Sequence, residues 1–265
     1  MTSYVIRGGE EGKARLRIIS DALWPTTLNL LQRAGLKAGM VCLDVGCGGG
    51  DVTLQMARLV GSSGMATGID MDSTKMQLAR QGADHEAIAN VRFLALDIDH
   101  LDDKAAYDLV YTRLLLTHLR NPVNALQRMV NAAKPGGVVV VEDMDHSGIF
   151  CYPACPALKQ HVSLYNQIVR LKGADPEIGP KLPALFRQVG LQDLHLSHVQ
   201  PAFMKGEAKR IHQITLESIA PAVVPAGLAT EGDINALGSQ LETFVQNSET
   251  IVSFPRIFQV CGYRK

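Results

Sequence analysis

Short apolar runs that favour β-structure alternate with segments of helical periodicity through the first half of the chain, and this alternation constrains the fold. Buried strands are predicted at residues 40–45, 66–69, 91–96, 107–111 and 138–141. Helices are predicted between them, at residues 51–60, 73–81 and 121–133. We expect Ser73 to be the N-cap of the second helix. The pattern predicts a doubly wound α/β fold, in which ligands bind at the edge formed by the carboxyl ends of parallel strands.

The second half of the chain has a less regular pattern. Two further strands are predicted, at residues 191–199 and within residues 251–263, which brings the sheet to seven strands. Helices are predicted at residues 153–171, 180–189, 207–220 and 231–248. Because residues 201–249 separate the last two strands, we expect them to form a helical lid insertion beside the ligand-binding edge. We predict that residues 1–30 form a flap, which contains Tyr4, and then a helix, which includes residues 15–23.

The composition favours a globular protein that binds small molecules. Of the 265 residues, 46% are apolar and 20% are charged, which suffices for a buried core. The 26 basic and 26 acidic side chains cancel, so the chain lacks the cationic surplus with which proteins hold nucleic acid phosphates. No run reaches the roughly 18–20 apolar residues of a membrane helix, and residues 1–11 lack the apolar centre of a secretory signal. We therefore expect a cytoplasmic protein with no nucleic acid or membrane partner.

The five cysteines are odd in number and scattered along the chain, which favours reduced thiols over a disulfide framework. Cys151 and Cys155 lack a second cysteine pair or a nearby histidine at the spacing of a zinc site. We therefore expect no metal to be bound through these cysteines.

Glycines and acids follow the first three predicted strands at the edge where ligands bind. Gly46 and Gly48 lie in a glycine-rich turn after the first strand, where the absence of a Cβ lets the backbone approach a ligand closely. Asp70 ends the second strand and suits the hydroxyls of a ribose. Asp97 ends the third strand, where a carboxylate can accept a hydrogen bond from an exocyclic adenine amine. Together these groups predict a site for a nucleoside-containing cofactor.

The same segments resemble the motifs of class I S-adenosylmethionine-dependent methyltransferases. The resemblance is carried by LDVGCGGG at residues 43–50, GID at 68–70, LDI at 96–98, YDLV at 107–110 and the helix-to-strand segment at 126–137. It covers about residues 35–142 and implies a single methyltransferase domain over residues 1–265. It also implies a mostly parallel sheet with an antiparallel last strand, S-adenosylmethionine as cofactor and a small-molecule acceptor of the secondary-metabolite or quinone type.

The resemblance also implies roles for individual residues. Gly46, Cys47 and Gly48 would face the methionine part of the cofactor, with Asp44 orienting this loop or reaching the cofactor amine through water. The remaining contacts would come from an acid on the ribose, a thioether on the adenine face, two residues at the adenine edge, an arginine near the methionine carboxylate and an aromatic residue in the flap. In that order these are Asp70, Met71, Asp97 with Ile98, Arg113 and Tyr4.

Methyl transfer from a sulfonium is an in-line displacement, so the protein mainly aligns the reactants and excludes water. A hydroxyl or protonated amine acceptor benefits from a general base, whereas a thiol or an activated carbon needs none. The candidate bases are His118, His146 and Glu142. Residues 111–114 read Tyr-Thr-Arg-Leu and lack the carboxylate that metal-dependent catechol methyltransferases place there, so we expect metal-independent transfer.

Two alternatives stay open from the sequence. A nicotinamide-dependent oxidoreductase would share the glycine turn and the ribose acid, but Asp51 occupies the position of the third fingerprint glycine. A non-catalytic S-adenosylmethionine-binding module would keep every cofactor residue. The sequence does not identify the acceptor, nor whether oxygen, nitrogen, carbon or sulfur is methylated. It leaves the oligomeric state open, a homodimer included.

Overall fold

A computed structural model describes residues 9–265, with the side chains of residue 12 and residues 15–265. Within this range the strands are β1 (Val41–Val45), β2 (Met65–Asp70), β3 (Val91–Ala95), β4 (Tyr107–Arg113), β5 (Ala133–Asp145), β6 (Cys151–Tyr152), β7 (Gln192–Val199), β8 (Ala202–Phe203), β9 (Ile251–Ser253) and β10 (Arg256–Tyr263). The helices are α1 (Gly9–Arg33), α2 (Asp51–Val60), α3 (Ser73–His85), α4 (Pro122–Ala132), α5 (Pro156–Leu171), α6 (Leu182–Gln188), α7 (Ile211–Val223) and α8 (Glu231–Gln246).

Seven strands form the central sheet, in the order β3-β2-β1-β4-β5-β10-β7. Neighbouring strands from β3 to β5 pair in parallel, whereas β10 pairs antiparallel with both β5 and β7. This arrangement confirms the predicted doubly wound sheet with an antiparallel last strand. It brings the carboxyl ends of β1 to β5 to one edge, where the chain passes into the loops that hold the functional residues.

Apolar cores cover both faces of the sheet. One contains Leu126 of α4, Val139 of β5 and Phe186 of α6, and another contains Leu31 of α1, Met56 of α2 and Tyr111 of β4. A third core lies beyond the carboxyl edge and joins α1, α5, α7 and α8 to the segment around β9 and β10. Helices α5, α7 and α8 thus pack together over one end of the edge, while α1 reaches from the sheet to these helices.

The structure departs from several predicted boundaries. The predicted N-cap at Ser73 is wrong, because the Asp72 side chain accepts from the backbone N–H groups of Thr74 and Lys75 and caps α3. Strand β5 is longer than residues 138–141, because β10 pairs with it as far as Asp145. The helices predicted to begin at residues 153 and 207 begin at Pro156 and Ile211, and the helix that includes residues 15–23 extends over the whole of α1.

A small three-stranded sheet in the order β6-β9-β8 was not predicted. Its strands come from three distant segments, and both outer strands pair with Val252 of β9. The predicted insertion at residues 201–249 contains α7 and α8, and its role as a lid stays a prediction. The flap residues before Gly9, Tyr4 among them, lie outside the described residues. Between residues 9 and 265, no helix is both long enough and apolar enough to cross a membrane.

Candidate active site

The loop between β1 and α2 has the backbone conformation that its glycines permit. Gly46 and Gly48 have φ angles of 68° and 56°, in the left-handed region that other residues rarely adopt. A Cβ on Gly46 would lie 3.0 Å from Cδ1 of Leu115, and a Cβ on Gly48 would lie 2.8 Å from Cδ1 of Leu16. At these two positions the neighbouring leucine side chains leave too little space for a Cβ, so glycine is the residue that fits.

Asp70, at the end of β2, is tied to this loop. Its Oδ2 accepts a hydrogen bond of 3.0 Å from the N–H of Gly48, and its Oδ1 accepts one of 2.9 Å from the N–H of Asp72. A carboxylate has about four lone-pair sites, so each oxygen retains one for a hydroxyl. The adjacent Met71 leaves 57% of its surface exposed, an unusual state for an apolar side chain at a cavity wall. The Asp70 carboxylate therefore suits a polar ring that carries hydroxyls, and the Met71 side chain suits a flat apolar ring next to it.

Two further acids lie near the loop in different environments. Asp97 follows β3, and its Oδ1 accepts a hydrogen bond of 3.0 Å from the N–H of Asp99, which fixes the carboxylate beside Ile98. Asp44 is buried at the end of β1 and accepts a hydrogen bond of 2.6 Å from the Thr53 hydroxyl. Burial raises the pKa of Asp44 to about 7, so its charge responds to a neighbouring cation.

Arg113 is the last residue of β4, which lies between β1 and β5 in the sheet. Its Nη1 lies 3.3 Å from the Thr27 hydroxyl of α1. Behind it, the Tyr111 hydroxyl donates a hydrogen bond of 2.6 Å to Oε1 of Glu142, and Nε2 of Gln259 donates one of 2.9 Å to Oε2. Glu142 is fully buried in β5 and does not line the cavity. The structure therefore does not bring the predicted base Glu142 to the cavity. The Glu142 carboxylate instead accepts a hydrogen bond from the Tyr111 hydroxyl.

One cavity of about 660 Å³ connects these groups. Every predicted cofactor residue that the structure describes lines it: Asp44, Gly46, Cys47, Gly48, Asp70, Met71, Asp97, Ile98 and Arg113. The sheet order puts these residues at the ends of β1 to β4. The other end of the cavity lies over β5 and β10, and the layer of helices α5, α7 and α8 (the helical layer) covers it. Side chains from α1, α5, α7, the two strands β5 and β10 and the segment before β10 line that end: Ile19, Leu23, Met144, Tyr165, Ile211, Phe254, Pro255 and Ile257.

The predicted bases His118 and His146 both line the cavity. Burial lowers the pKa of each to about 3, so both imidazoles are neutral at physiological pH. Nδ1 of His146 lies 2.9 Å from Oδ1 of Asn166, and its ring stacks on Tyr165 with centroids 4.1 Å apart. His118 belongs to the turn after β4, which also carries Leu115. The structure thus brings two of the three predicted bases to the cavity.

Several cavity residues had no counterpart in the sequence prediction. Arg15 and Thr215 contact each other across the cavity wall, with Arg15 Nε donating a hydrogen bond of 3.1 Å to the Thr215 hydroxyl. Tyr165 and His212 come from α5 and α7. The spacing of Arg15, Ile19 and Leu23, four residues apart on one helical face, is a signal that could have indicated the contribution of α1. His212 belongs to no comparable pattern, since it reaches the cavity only through packing of the helical layer.

All five cysteines are free thiols. In the part of the chain that the structure describes, no three His, Cys, Asp or Glu side chains are grouped so that they could hold a metal ion.

Residues 36–211 match the model of a protein family described as a methyltransferase domain. A ubiquinone biosynthesis O-methyltransferase from Acinetobacter baylyi is 34% identical over 118 residues, which cover 43% of this chain and 48% of that protein. A demethylmenaquinone methyltransferase from Staphylococcus aureus is 30% identical over 141 residues, which cover 53% of this chain and 55% of that protein. The matched region thus spans about half the length of these curated relatives.

A solved structure of phosphoethanolamine N-methyltransferase 2 from Haemonchus contortus, in complex with phosphomonomethylethanolamine and S-adenosylhomocysteine, has the same fold. It superposes with a TM-score of 0.59 at 17% identity and covers 95% of this chain and 58% of that chain. At this level of identity the likeness concerns the fold alone.

Proposed function

The chain belongs to the methyltransferase domain family, and from this membership we propose that it transfers the methyl group of S-adenosylmethionine to a small, largely apolar acceptor. S-adenosylmethionine is the cofactor of this family. The nicotinamide alternative has no support, because Asp51 begins α2 where a dinucleotide fingerprint requires its third glycine. One observation supports catalysis over cofactor binding alone. The predicted cofactor residues line the same cavity as an apolar wall with polar groups, so this cavity has space for an acceptor beside the cofactor.

The residues present fit the cofactor. The loop at Gly46 and Gly48 forms a cradle that any Cβ would fill, and it would hold the methionine part near Arg113. The lone pairs left on Asp70 would accept from the ribose hydroxyls. The exposed Met71 would gain an apolar partner in the adenine ring. Asp97 and the backbone of Ile98 would bind the adenine edge, as the motif resemblance implies.

When bound, the cofactor supplies an activated methyl group on a positively charged sulfur. The chain's own contribution is to place the acceptor atom in line with that bond and to exclude water. The turn after β4, with Leu114, Leu115 and His118, lines the middle of the cavity between the two ends. The closed apolar walls beyond it would keep water away from the reacting groups.

We propose a ring of the quinone type as the acceptor class. The apolar wall formed by Ile19, Leu23, Met144, Phe254 and Ile257 suits a ring, and the names of two relatives refer to ubiquinone biosynthesis and demethylmenaquinone. The neutral balance of charge supports a small molecule over nucleic acid. The five free thiols support a cytoplasmic location, where thiols stay reduced.

Calorimetric titration of the chain with S-adenosylmethionine and, separately, with NADH tests the cofactor. Transfer of a radiolabelled methyl group to a panel of phenols, hydroquinones, amines and thiols then tests the activity. We expect saturable binding of S-adenosylmethionine, none of NADH, and label in a hydroxylated ring compound. Binding of NADH in place of S-adenosylmethionine would overturn the proposal, and so would binding of S-adenosylmethionine without transfer to any acceptor class.

A further inference from the structure

Two histidines from different elements line the acceptor end of the cavity. His146 follows β5 and His212 lies in the first turn of α7. Both rings contact a third histidine, His161 of α5, with centroid distances of 6.3 Å and 5.5 Å. His161 is fully buried and does not line the cavity. Only His146 and His212 of these three can therefore meet a ligand.

Hydrogen bonds behind the two rings determine which nitrogen carries the proton. Nδ1 of His146 lies 2.9 Å from the amide oxygen of Asn166, and Nε2 of His212 lies 2.8 Å from the carbonyl oxygen of Ser253. Because both oxygens can only accept, both of these nitrogens carry hydrogen. Burial lowers the pKa of His146 to about 3 and that of His212 to about 4, so each ring has only this one proton. The second nitrogen of each ring, Nε2 of His146 and Nδ1 of His212, is an acceptor.

The groups around the pair oppose a cationic ligand. The Arg15 guanidinium lies in the cavity wall on α1, donates to Thr215 of α7, and adds to the burial that lowers the pKa of His146 and His212. His118, from the turn after β4, also lowers the pKa of His146, and the pair in turn lowers the pKa of His161 in α5; burial keeps His118 and His161 neutral. The same Arg15 charge that lowers these two pKa values disfavours an ammonium group beside the pair and favours a hydroxyl that tends to ionise.

We propose that Nε2 of His146 and Nδ1 of His212 are paired hydrogen-bond acceptors that bind the hydroxyls of a cyclic diol, such as the reduced form of a quinone. Asn166 and Ser253 are the positioning residues, because each fixes the tautomer of one ring. This assignment rests on the proposed function in that it takes the cavity end over β5 and β10 as the acceptor site. A ring with two carbonyl groups offers these nitrogens only lone pairs, so the oxidised form binds less tightly at this pair.

The test uses the full chain loaded with S-adenosylhomocysteine, and calorimetry measures binding without turnover. The ligands are 2,3-dihydroxynaphthalene and 2,7-dihydroxynaphthalene, whose hydroxyls are adjacent or far apart, and the dimethyl ether of each. His146→Asn keeps a donor toward Asn166, and His212→Gln keeps a donor toward Ser253, while each removes the ring acceptor. His161→Leu is the matched control, a buried histidine of the same cluster that lies outside the cavity wall. Binding of S-adenosylhomocysteine verifies that each variant is folded.

We expect at least one diol to bind about tenfold more tightly than its dimethyl ether, as the loss of hydrogen bonds predicts. His146→Asn and His212→Gln should each weaken that diol about tenfold and leave the ether unchanged, whereas His161→Leu should change neither. Equal binding of diol and ether, no binding of either diol, or equal effects of all three variants would overturn the inference.

The same samples distinguish this inference from the proposed function. Labelled S-adenosylmethionine reports methyl transfer independently of the titrations, which are repeated without S-adenosylhomocysteine. Diol-selective binding without any transfer would refute the methyltransferase activity and keep the histidine pair. Transfer to an acceptor that binds equally as diol and ether would keep the activity and refute the pair.

Discussion

Asp70 joins the glycine loop to the end of β2, and it is the residue that we propose to hold the ribose of the cofactor. Replacing it with alanine removes the acceptor for the Gly48 and Asp72 N–H groups as well as the proposed ribose contacts. We expect Asp70→Ala to weaken S-adenosylmethionine binding by about 1–3 kcal/mol, as measured by calorimetry. Asp84→Ala, at an exposed site on α3, is the matched control and should bind normally. An unchanged affinity in Asp70→Ala would remove this residue from the site.

We expect substitutions at two residues of α5, Asn166 and His161, to have opposite effects on the free energy of unfolding. Asn166→Leu leaves the buried Nδ1–H of His146 without its acceptor, so the free energy of unfolding should fall by about 1–3 kcal/mol. His161→Leu removes two buried ring nitrogens that have no hydrogen-bond partner among the described residues, so stability should stay the same or rise. Urea unfolding of both variants measures the difference, and equal destabilisation would contradict this account.

Some of these residues could be predicted from sequence and others could not, for a physical reason. Gly46, Asp70 and Asp97 lie at strand ends whose positions follow from local apolar patterns, so their meeting at one edge was predictable. The tautomers of His146 and His212 depend on Asn166 and Ser253, which lie 20 and 41 positions away in sequence. Glu142 looked accessible because it ends an apolar run, yet pairing of β5 with β10 buries it behind Tyr111.

At the scale of elements, α1 packs against the loop that begins α2. The contact is narrow, because a Cβ on Gly48 would lie 2.8 Å from Cδ1 of Leu16. We expect Gly48→Ala to displace α1 and to weaken S-adenosylmethionine binding at least tenfold, as measured by calorimetry.

The control for this substitution is Gly190→Ala. Gly190 has a φ angle of 83°, similar to the conformation of Gly48, but a Cβ there would meet nothing within 4 Å. Both variants carry the strain of a left-handed alanine, about 1 kcal/mol, and only Gly48→Ala adds the collision with α1. Equal loss of cofactor binding in both variants would show that strain, and not the contact with α1, is responsible.

The elements of the first half were predictable because each strand and helix there shows its own period. The small sheet of β6, β8 and β9 was not, since β6 and β8 have two residues each and are defined only by pairing with β9. Yet this sheet matters for the site, because β9 carries Ser253 and leads directly into Phe254 and Pro255 of the cavity wall. Pairing between distant segments thus determines the acceptor end, whereas local pattern determines the cofactor end.

At the scale of the whole molecule, buried titratable groups make stability depend on pH. Burial lowers the pKa of His118, His146, His161 and His212 below their unfolded value of 6.5. Below pH 6.5 the unfolded chain therefore binds more protons at these sites, so stability is present above that pH and is lost as pH falls toward the folded pKa values. Burial raises the pKa of Asp44 and Asp143 to about 7, so these two acids oppose part of the loss between their unfolded value of 3.8 and pH 7.

We therefore expect the free energy of unfolding to fall from about pH 6.5 to pH 4.5, because four histidines outweigh two acids. His161→Leu should reduce this slope by the share of one proton, about 1.4 kcal/mol per pH unit. Urea unfolding of both proteins across this range provides the measurement. The same slope in both would mean that His161 gains no protons on unfolding.

The position of β10 in the sheet has a consequence for how the molecule assembles. It is the last strand along the chain, yet it lies between β5 and β7, which precede it. While the chain is being synthesised, β1 to β5 can associate through contacts between successive units, because parallel strands joined by helices need no later residue. The acceptor end has no such early form. It is completed only when β10 enters between two strands that have already been made, so the half proposed to hold the methyl donor can form before the half proposed to select its recipient.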